Sequence, residues 1–188
     1  MLYPVFLDLR GALTLVVGGG NVGLRKARGL LEAGARVRAV SPEFAPEWND
    51  LPTQHLERRA RPFELQDLEG VRLAFACTDR DDVNGQVAAA ARHNNVFCNH
   101  ASDPEGGDLR LGATHRQGAL TAAFSSGLEL PLLAQALRDR FAATLPQGLE
   151  RKLETWQARR AAALRLPAAE RTAALENLRR ELRAELNS

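Results

Sequence analysis

Short apolar runs alternate with amphipathic stretches along the first hundred residues. Residues 13–17, LTLVV, form an apolar, β-branched run stopped by three glycines, the pattern of a strand buried on both faces. From Val22 to Glu32 apolar positions recur at helical spacing (Val22, Ala27, Leu30, Leu31), with Arg25, Lys26 and Arg28 among them. Gly34 follows as a C-terminal stop. Residues 35–40, ARVRAV, alternate and predict a second strand, ended by Ser41-Pro42. Strand, glycine turn, helix and strand within about thirty residues make a βαβ unit.

The alternation continues with a weak strand at 54–59 and a clearer one at 72–77. An alanine-rich helix is expected over 82–94, with Asp81 or Asp82 as its cap, followed by a strand at 95–99, NVFCN. Such alternation predicts a parallel, doubly wound sheet. The character changes at Ser102. Residues 102–118 read as loop with one short strand, and 119–124 as a further strand before Ser125-Ser126-Gly127. A helix is expected over 131–145, with leucines at 132, 133 and 137. Beyond Pro146 two helices split near Pro167. Leu149, Leu153 and Trp156 mark one stripe; Leu175, Leu178, Leu182 and Leu186 mark the other.

Composition narrows the class. The chain has 188 residues, 45% apolar and 26% charged, enough for one α/β domain and a smaller appendage. The net charge of +2, with Arg interleaved with Glu, gives no electrostatic footprint for nucleic acid. The first apolar segment is interrupted by Pro4, Asp8 and Arg10 and is too short and polar for a signal peptide. No stretch approaches the roughly 20 apolar residues that span a bilayer. A soluble, cytoplasmic protein is therefore expected. Cys77 and Cys98 lie in apolar runs without a CxxC partner and read as buried, reduced thiols.

The strongest chemical signal is Gly18-Gly19-Gly20-Asn21-Val22-Gly23, in which Gly18, Gly20 and Gly23 satisfy the GxGxxG spacing. The first glycine turns the chain out of the strand, the second admits a pyrophosphate, and the third lets the helix approach the sheet. The phosphates then meet unpaired N–H groups at the positive helix end. An acid is expected at the end of the second strand to hold the ribose 2′-OH; Ser41 stands there, with Glu43 two residues on. Arg36 and Arg38 keep a 2′-phosphate conceivable, so NAD against NADP stays open from spacing alone.

Here a resemblance becomes specific. PVFLDL at 4–9, VVGGGNVGLRKARGLLEAGARVRAVSPEF from Val16, and Ala76-Cys77-Thr78-Asp79 with Val83-Asn84 resemble the siroheme-synthase dehydrogenase domain family. FCN at 97–99, Ser125-Ser126-Gly127 and PLLAQALRDRF extend the similarity over nearly the whole chain. The resemblance implies a Rossmann-like α/β fold with a parallel sheet, a central dimerisation segment and a helical C-terminal domain, assembled as a homodimer. It places the boundaries at 1–112, 113–146 and 147–188. It also implies NAD-dependent oxidation of the tetrapyrrole precorrin-2 to sirohydrochlorin, with ferrous iron as a further substrate in some members. By position, Asn21, Val22, Pro42, Glu43, Thr78 and Asp79 would join the glycines and Ser41 at the cofactor. Asn99, Ser125, Ser126 and Gly127 would face the substrate.

The departures from that family fall near the expected chemistry. The aspartate credited with catalysis falls on Ser102 here, in Asn99-His100-Ala101-Ser102-Asp103-Pro104, and Asp103 occupies the next position. Asp103 is the best-placed acid in the segment, with His100 and His115 as alternatives, while Asp-Pro also commonly starts a turn. Leu109-Arg110-Leu111-Gly112 and Leu128-Glu129-Leu130 replace an aromatic-apolar stretch and a small turn. Arg110 and Arg116, and less so Arg138 and Arg140, are basic groups suited to a polycarboxylate. No metal-ligand spacing occurs, so any iron would be held by the macrocycle. Two readings remain: an NAD-dependent precorrin-2 dehydrogenase, or a catalytically altered NAD- or tetrapyrrole-binding sensor of the same family. An NAD-binding regulatory domain of an ion-transport system shares the glycine turn, but FLDLRG and the helical tail argue against it.

Overall fold

The computed structural model describes residues 2–127 and 130–186. Its contacts divide the chain into two compact units, Tyr3–Leu111 and the segment from Gly112 onward.

The first unit holds five parallel strands in the order β3-β2-β1-β4-β5. These are β1 (Leu13–Val17), β2 (Arg36–Ser41), β3 (Leu56–Ala60), β4 (Val71–Ala76) and β5 (Phe97–His100). Helix α1 (Asn21–Glu32) joins β1 to β2, and α2 (Asp81–His93) joins β4 to β5. Because side chains alternate along a strand, Leu15, Val17, Ala74 and Ala76 enter one buried cluster with Val87, Ala88 and Ala91 of α2. Val16, Leu73 and Phe75 enter the other, with Leu24, Ala27 and Leu30 of α1. The helices thus cover opposite faces of the sheet, which is why β1 and β4 read as continuous apolar runs rather than alternating ones. Each fully buried Val or Leu in these clusters contributes roughly 1.5–3 kcal/mol. The reversal of strand order between β1 and β4 leaves a crevice at their carboxyl ends, the usual ligand position in such sheets.

The expected strands and helices appear within one or two residues, with local corrections. Val22 lies outside the buried face of α1, which is Gly23, Leu24, Ala27 and Leu30. Neither Asp81 nor Asp82 caps α2: the chain enters the helix one residue earlier, Arg80 is the N-cap, and both acids sit in the first turn. His100, one residue past the expected end of the strand at 95–99, is instead the buried last residue of β5. Three 3-10 turns, Pro46–Asp50, Leu65–Leu68 and Pro104–Gly106, were not anticipated.

Edge strand β3 carries Glu57, Arg58 and Arg59, which discourages pairing with another chain. Arg59 and Arg61 converge at 2.6 and 2.7 Å on Asp67, whose side chain is fully buried. Asp67 also accepts the Glu64 backbone N–H at 2.9 Å, closing a capping box on its 3-10 turn. Burial works to raise the Asp67 pKa, but hydrogen bonds from Arg61, the Glu64 N–H and Arg59 outweigh it and hold the group below the usual carboxylate range.

In the second unit, β6 (Ala113–Gln117) and β7 (Leu120–Phe124) form an antiparallel hairpin against α3 (Pro131–Thr144). Phe141 of α3 meets His115 and Phe124 at ring separations of 6.1 and 5.5 Å. The anticipated leucines of α3 do not enter a core: Leu132, Leu133 and Leu137 are exposed, Leu132 by 76%. Helices α4 (Leu149–Ala163) and α5 (Ala168–Leu186) pair through Leu149, Trp156 and Leu178, supported by Leu120, Leu145, Leu153 and Leu182.

Candidate active site

The glycine turn after β1 is shaped by backbone packing. A Cβ on Gly18, which adopts φ +124°, would lie 2.5 Å from the Cys77 carbonyl oxygen. One on Gly19 would lie 1.9 Å from the carbonyl oxygen of Glu43, and one on Gly23 would lie 2.0 Å from that of Gly18. Gly20 differs: a Cβ there meets nothing within 4 Å. It is also the N-cap of α1, with no side-chain cap and no acid in the first turn. An uncapped, acid-free helix start beside open space fits the pyrophosphate of a dinucleotide, which needs N–H donors and close backbone approach. Gly19 was not singled out by the GxGxxG spacing, yet its packing is as tight as that of Gly18. The contact partner, Glu43, lies too far along the chain for a local motif to show it.

The adjoining loops line the same edge of the sheet. Ser41 ends β2 with 9% exposure, and Pro42 and Glu43 follow as exposed residues. Asn21 and Val22 are exposed at the start of α1. Arg38 is turned to structural use: it bonds to the Asp67 carbonyl at 2.8 Å and to Glu57 at 3.3 Å, from the middle of β2. Arg36 begins that strand, at the end away from the crevice. Neither is placed to neutralise a 2′-phosphate. Burial pushes the Cys77 thiol up to about 12 and the Cys98 thiol up to about 11, so both stay protonated and inert.

At the ends of β4 and β5 the structure assembles a polar cluster that the sequence reading did not foresee. Asn84 of α2 is fully buried. Its Oδ1 accepts the Thr78 backbone N–H at 2.9 Å and lies 2.8 Å from the Thr78 hydroxyl, while its Nδ2 donates to the Thr78 carbonyl at 3.0 Å. The same Nδ2 lies 3.5 Å from the Ser102 hydroxyl, which donates to Asp81 Oδ1 at 2.7 Å. The signal for Asn84 was present. It shares a helix face with Val87, Ala88 and Ala91, and a lone amide in an apolar stripe must find partners. Asp79 is exposed beside Thr78.

The other candidates take varied places. Asp103 caps the 3-10 turn: its Oδ1 accepts the Glu105 N–H at 3.0 Å, and its own N–H donates to His100 Nδ1 at 3.1 Å. Asn99, nearly buried, donates its amide to the Leu109 carbonyl at 2.9 Å. Arg110 donates to the Gly107 carbonyl at 3.0 Å and pairs with Glu105 at 3.4 Å. Ser125, Ser126 and Gly127 belong to the second unit, where Ser126 accepts the Leu130 N–H at 3.0 Å and Ser125 accepts that of Gly127 at 3.3 Å. Residues 128 and 129 of the altered Leu128-Glu129-Leu130 turn lie outside the described residues. Among the described residues no group of three or more His, Cys, Asp or Glu is placed to hold a metal, and no helix is long and apolar enough to cross a membrane.

A family model described as "Putative NAD(P)-binding" matches residues 5–113, which carry the glycine turn and all five parallel strands. The chain belongs to this NAD(P)-binding family. It is also 41% identical over 153 residues to a siroheme synthase of Chromobacterium violaceum, covering 79% of this chain and 32% of that protein. Siroheme synthase 3 of Aeromonas hydrophila is 40% identical over 147 residues, covering 78% of this chain and 31% of that protein. The expected resemblance to the siroheme-synthase dehydrogenase domain is borne out by these relatives, although the chain spans only about a third of their length. Among solved structures, SirC, a precorrin-2 dehydrogenase, superposes with a TM-score of 0.74 over 95% of this chain and all of that one, at 22% identity. That likeness establishes the Rossmann-like fold with its helical C-terminal part. NAD is the cofactor that fits: Gly20 leaves room for the pyrophosphate, Arg38 is held by Glu57 and the Asp67 carbonyl, and Arg36 begins β2 at the end away from the crevice.

Proposed function

We propose that this chain oxidises precorrin-2 to sirohydrochlorin with NAD, as one step of siroheme formation. The observation that carries the reading is the placement of an exposed, hydrogen-bonded Ser102 on the same carboxyl edge of the sheet as the uncapped glycine turn, in a chain about 40% identical to siroheme synthases. Gly18, Gly20, Asn21, Val22 and Gly23 would hold the pyrophosphate end; Ser41, Pro42 and Glu43 the adenosine ribose; Thr78 and Asp79 the nicotinamide side. When bound, NAD supplies the hydride acceptor. The chain's part is to orient the macrocycle and accept a proton. Of the two catalytic candidates, Ser102 is the better placed to meet the substrate, since the Asp103 carboxylate already serves its turn. Asn99, Ser125, Ser126 and Gly127 are assigned to the substrate. Arg110 and Arg116 offer charge for its carboxylates.

The division into a cofactor domain (1–112), a dimerisation segment (113–146) and a helical domain (147–188) belongs to the same proposal. Exposed Leu130, Leu132, Leu133 and Leu137 on and before α3 support a homodimer through that segment, because a patch of this kind is costly in water. Ferrous iron, where it enters, is a substrate held by the macrocycle's nitrogens.

The test gives the purified chain precorrin-2 and NAD without oxygen and follows sirohydrochlorin absorbance together with NADH. Formation of both, one for one, is expected. NAD binding without any product would overturn the dehydrogenase reading in favour of a sensor.

A further inference from the structure

We infer that Ser102 and Asp81 act as one proton-accepting unit, with Ser102 meeting the substrate and Asp81 acting through it as a positioning residue. The inference rests on the dehydrogenase reading above and deepens it.

The two side chains come from separate elements, the loop after β5 and the first turn of α2, and meet at 2.7 Å with the Ser102 hydroxyl donating to Asp81 Oδ1. That bond fixes the direction of the hydroxyl. Its hydrogen is committed to the carboxylate and Asn84 Nδ2 approaches its oxygen as a donor at 3.5 Å, which leaves one lone pair to accept from something else. Ser102 is exposed, and the open side of its oxygen is therefore accessible to a ligand. Behind it, Asn84 is locked by three polar contacts to Thr78, so its Nδ2, 3.5 Å from Ser102 Oγ, stands on a rigid support. A serine alone is too weak a base to take a proton. A serine bonded to a carboxylate that can receive its proton is a relay, the logic by which hydroxyls are activated elsewhere.

The step balances as follows. The substrate loses a hydride, with its two electrons, to the oxidised cofactor, and a proton from the neighbouring ring position to Ser102 Oγ. The hydrogen already on Ser102 passes to Asp81, and the substrate gains one double bond. Asp81 then returns its proton to water, to which it is open.

The charged and titratable groups within two residues of the pair along the chain are Asp79, Arg80 and Asp82 beside Asp81 and His100 and Asp103 beside Ser102. Arg80 is taken by Asp82 at 2.6 Å, and His100 Nδ1 by the Asp103 N–H at 3.1 Å. None of these contacts competes for the Ser102 oxygen.

The experiment compares wild type with Asp81→Asn, Ser102→Ala, Asp82→Asn and the double variant Asp81→Asn/Ser102→Asp. NAD affinity, melting temperature, and the pH dependence of kcat and KM for sirohydrochlorin formation are measured for each. Asp81→Asn and Ser102→Ala should each lower kcat by about a hundredfold, with NAD affinity and folding retained. Asp81→Asn should also lose the acid limb of the kcat profile, which Asp82→Asn keeps. The double variant should recover most of the activity, because a carboxylate at 102 no longer needs one at 81; a merely structural Asp81 would allow no such rescue. Full activity in Asp81→Asn, or a double variant no better than Asp81→Asn alone, would overturn the relay while leaving the dehydrogenase reading intact. A wild type that binds NAD and turns nothing over would overturn both.

Discussion

The two units of this chain hold themselves together in different ways. In Tyr3–Leu111 a parallel sheet carries a buried cluster on each face, and its glycine turn is set by backbone packed directly on backbone. From Gly112 onward, among the described residues, the large buried side chains are Leu149, Trp156 and Leu178, joined by Ala134 and Ala163, while Leu132, Leu133 and Leu137 of α3 stay exposed. The first unit spreads its stability over many small burials and concentrates its precision in one turn. The second depends on a few large side chains. A single substitution should therefore do its greatest harm at the turn in the first unit and at the one large anchor in the second.

The largest effect is expected at Gly19. Gly19→Ala places a methyl group 1.9 Å from the Glu43 carbonyl oxygen, a backbone atom with no rotamer to yield, and should cost about 4 kcal/mol or more with loss of NAD binding. Gly20→Ala is its counterpart one residue on. With nothing within 4 Å of the added methyl, folding should change by less than about 1 kcal/mol. NAD affinity should nevertheless fall at least about tenfold, about 1.4 kcal/mol, as the methyl takes the space of the pyrophosphate. Thermal melts and NAD titrations on both variants check this. Equal loss of stability in the two would mean that the turn is not divided between a packed side and a ligand side.

Trp156→Ala probes the other unit. Truncating its largest buried side chain should cost about 3 kcal/mol, read as lost helical circular dichroism at a lower temperature. NAD affinity should be retained, since the residues proposed for the cofactor all belong to the first unit. Loss of NAD binding together with the helices would show that the two regions depend on one another.

The same contrast explains what the sequence disclosed. The βαβ unit was legible because its signals are local: a β-branched run, three glycines, then apolar residues at helical spacing, each within a dozen positions. The parallel sheet covered on both faces follows from the same alternation; the order of its strands does not. Trp48, buried beneath Gly23, and Asp67, gathering Arg59 and Arg61, were not legible, because their partners come from separate elements. Ser102 drew notice as a missing acid and Asp103 as its neighbour. That Asp81, 21 residues earlier, lies beside Ser102 depends on β4 and β5 being adjacent strands. The leucines of α3 misled in the opposite direction, since helical spacing marks an apolar face without saying what covers it.

A smaller effect than at Gly19 or Trp156, at Asp67, returns to how the first unit spreads its stability. Asp67 is buried, yet its hydrogen bonds hold its pKa below the unfolded value of about 3.9. A carboxyl group depressed in the folded state adds stability that is fully present above the unfolded pKa. That stability is lost as pH falls through the lower folded value. Wild type should therefore lose stability progressively below about pH 4. Asp67→Asn keeps much of the shape but cannot carry the charge that Arg59 and Arg61 meet. Because both arginines are partly exposed and Arg59 also holds Glu57, the loss at neutral pH should be about 1–2 kcal/mol, less than for an isolated buried pair. The gap between wild type and variant should narrow as the solution is acidified from pH 5 to about pH 2, because protonation removes from wild type what the substitution has already removed. Urea melts across that range measure it directly. A gap that stays constant with pH would mean that Asp67 serves the fold through shape and hydrogen bonding alone, and the charge at its centre would then be incidental to the stability of the sheet edge.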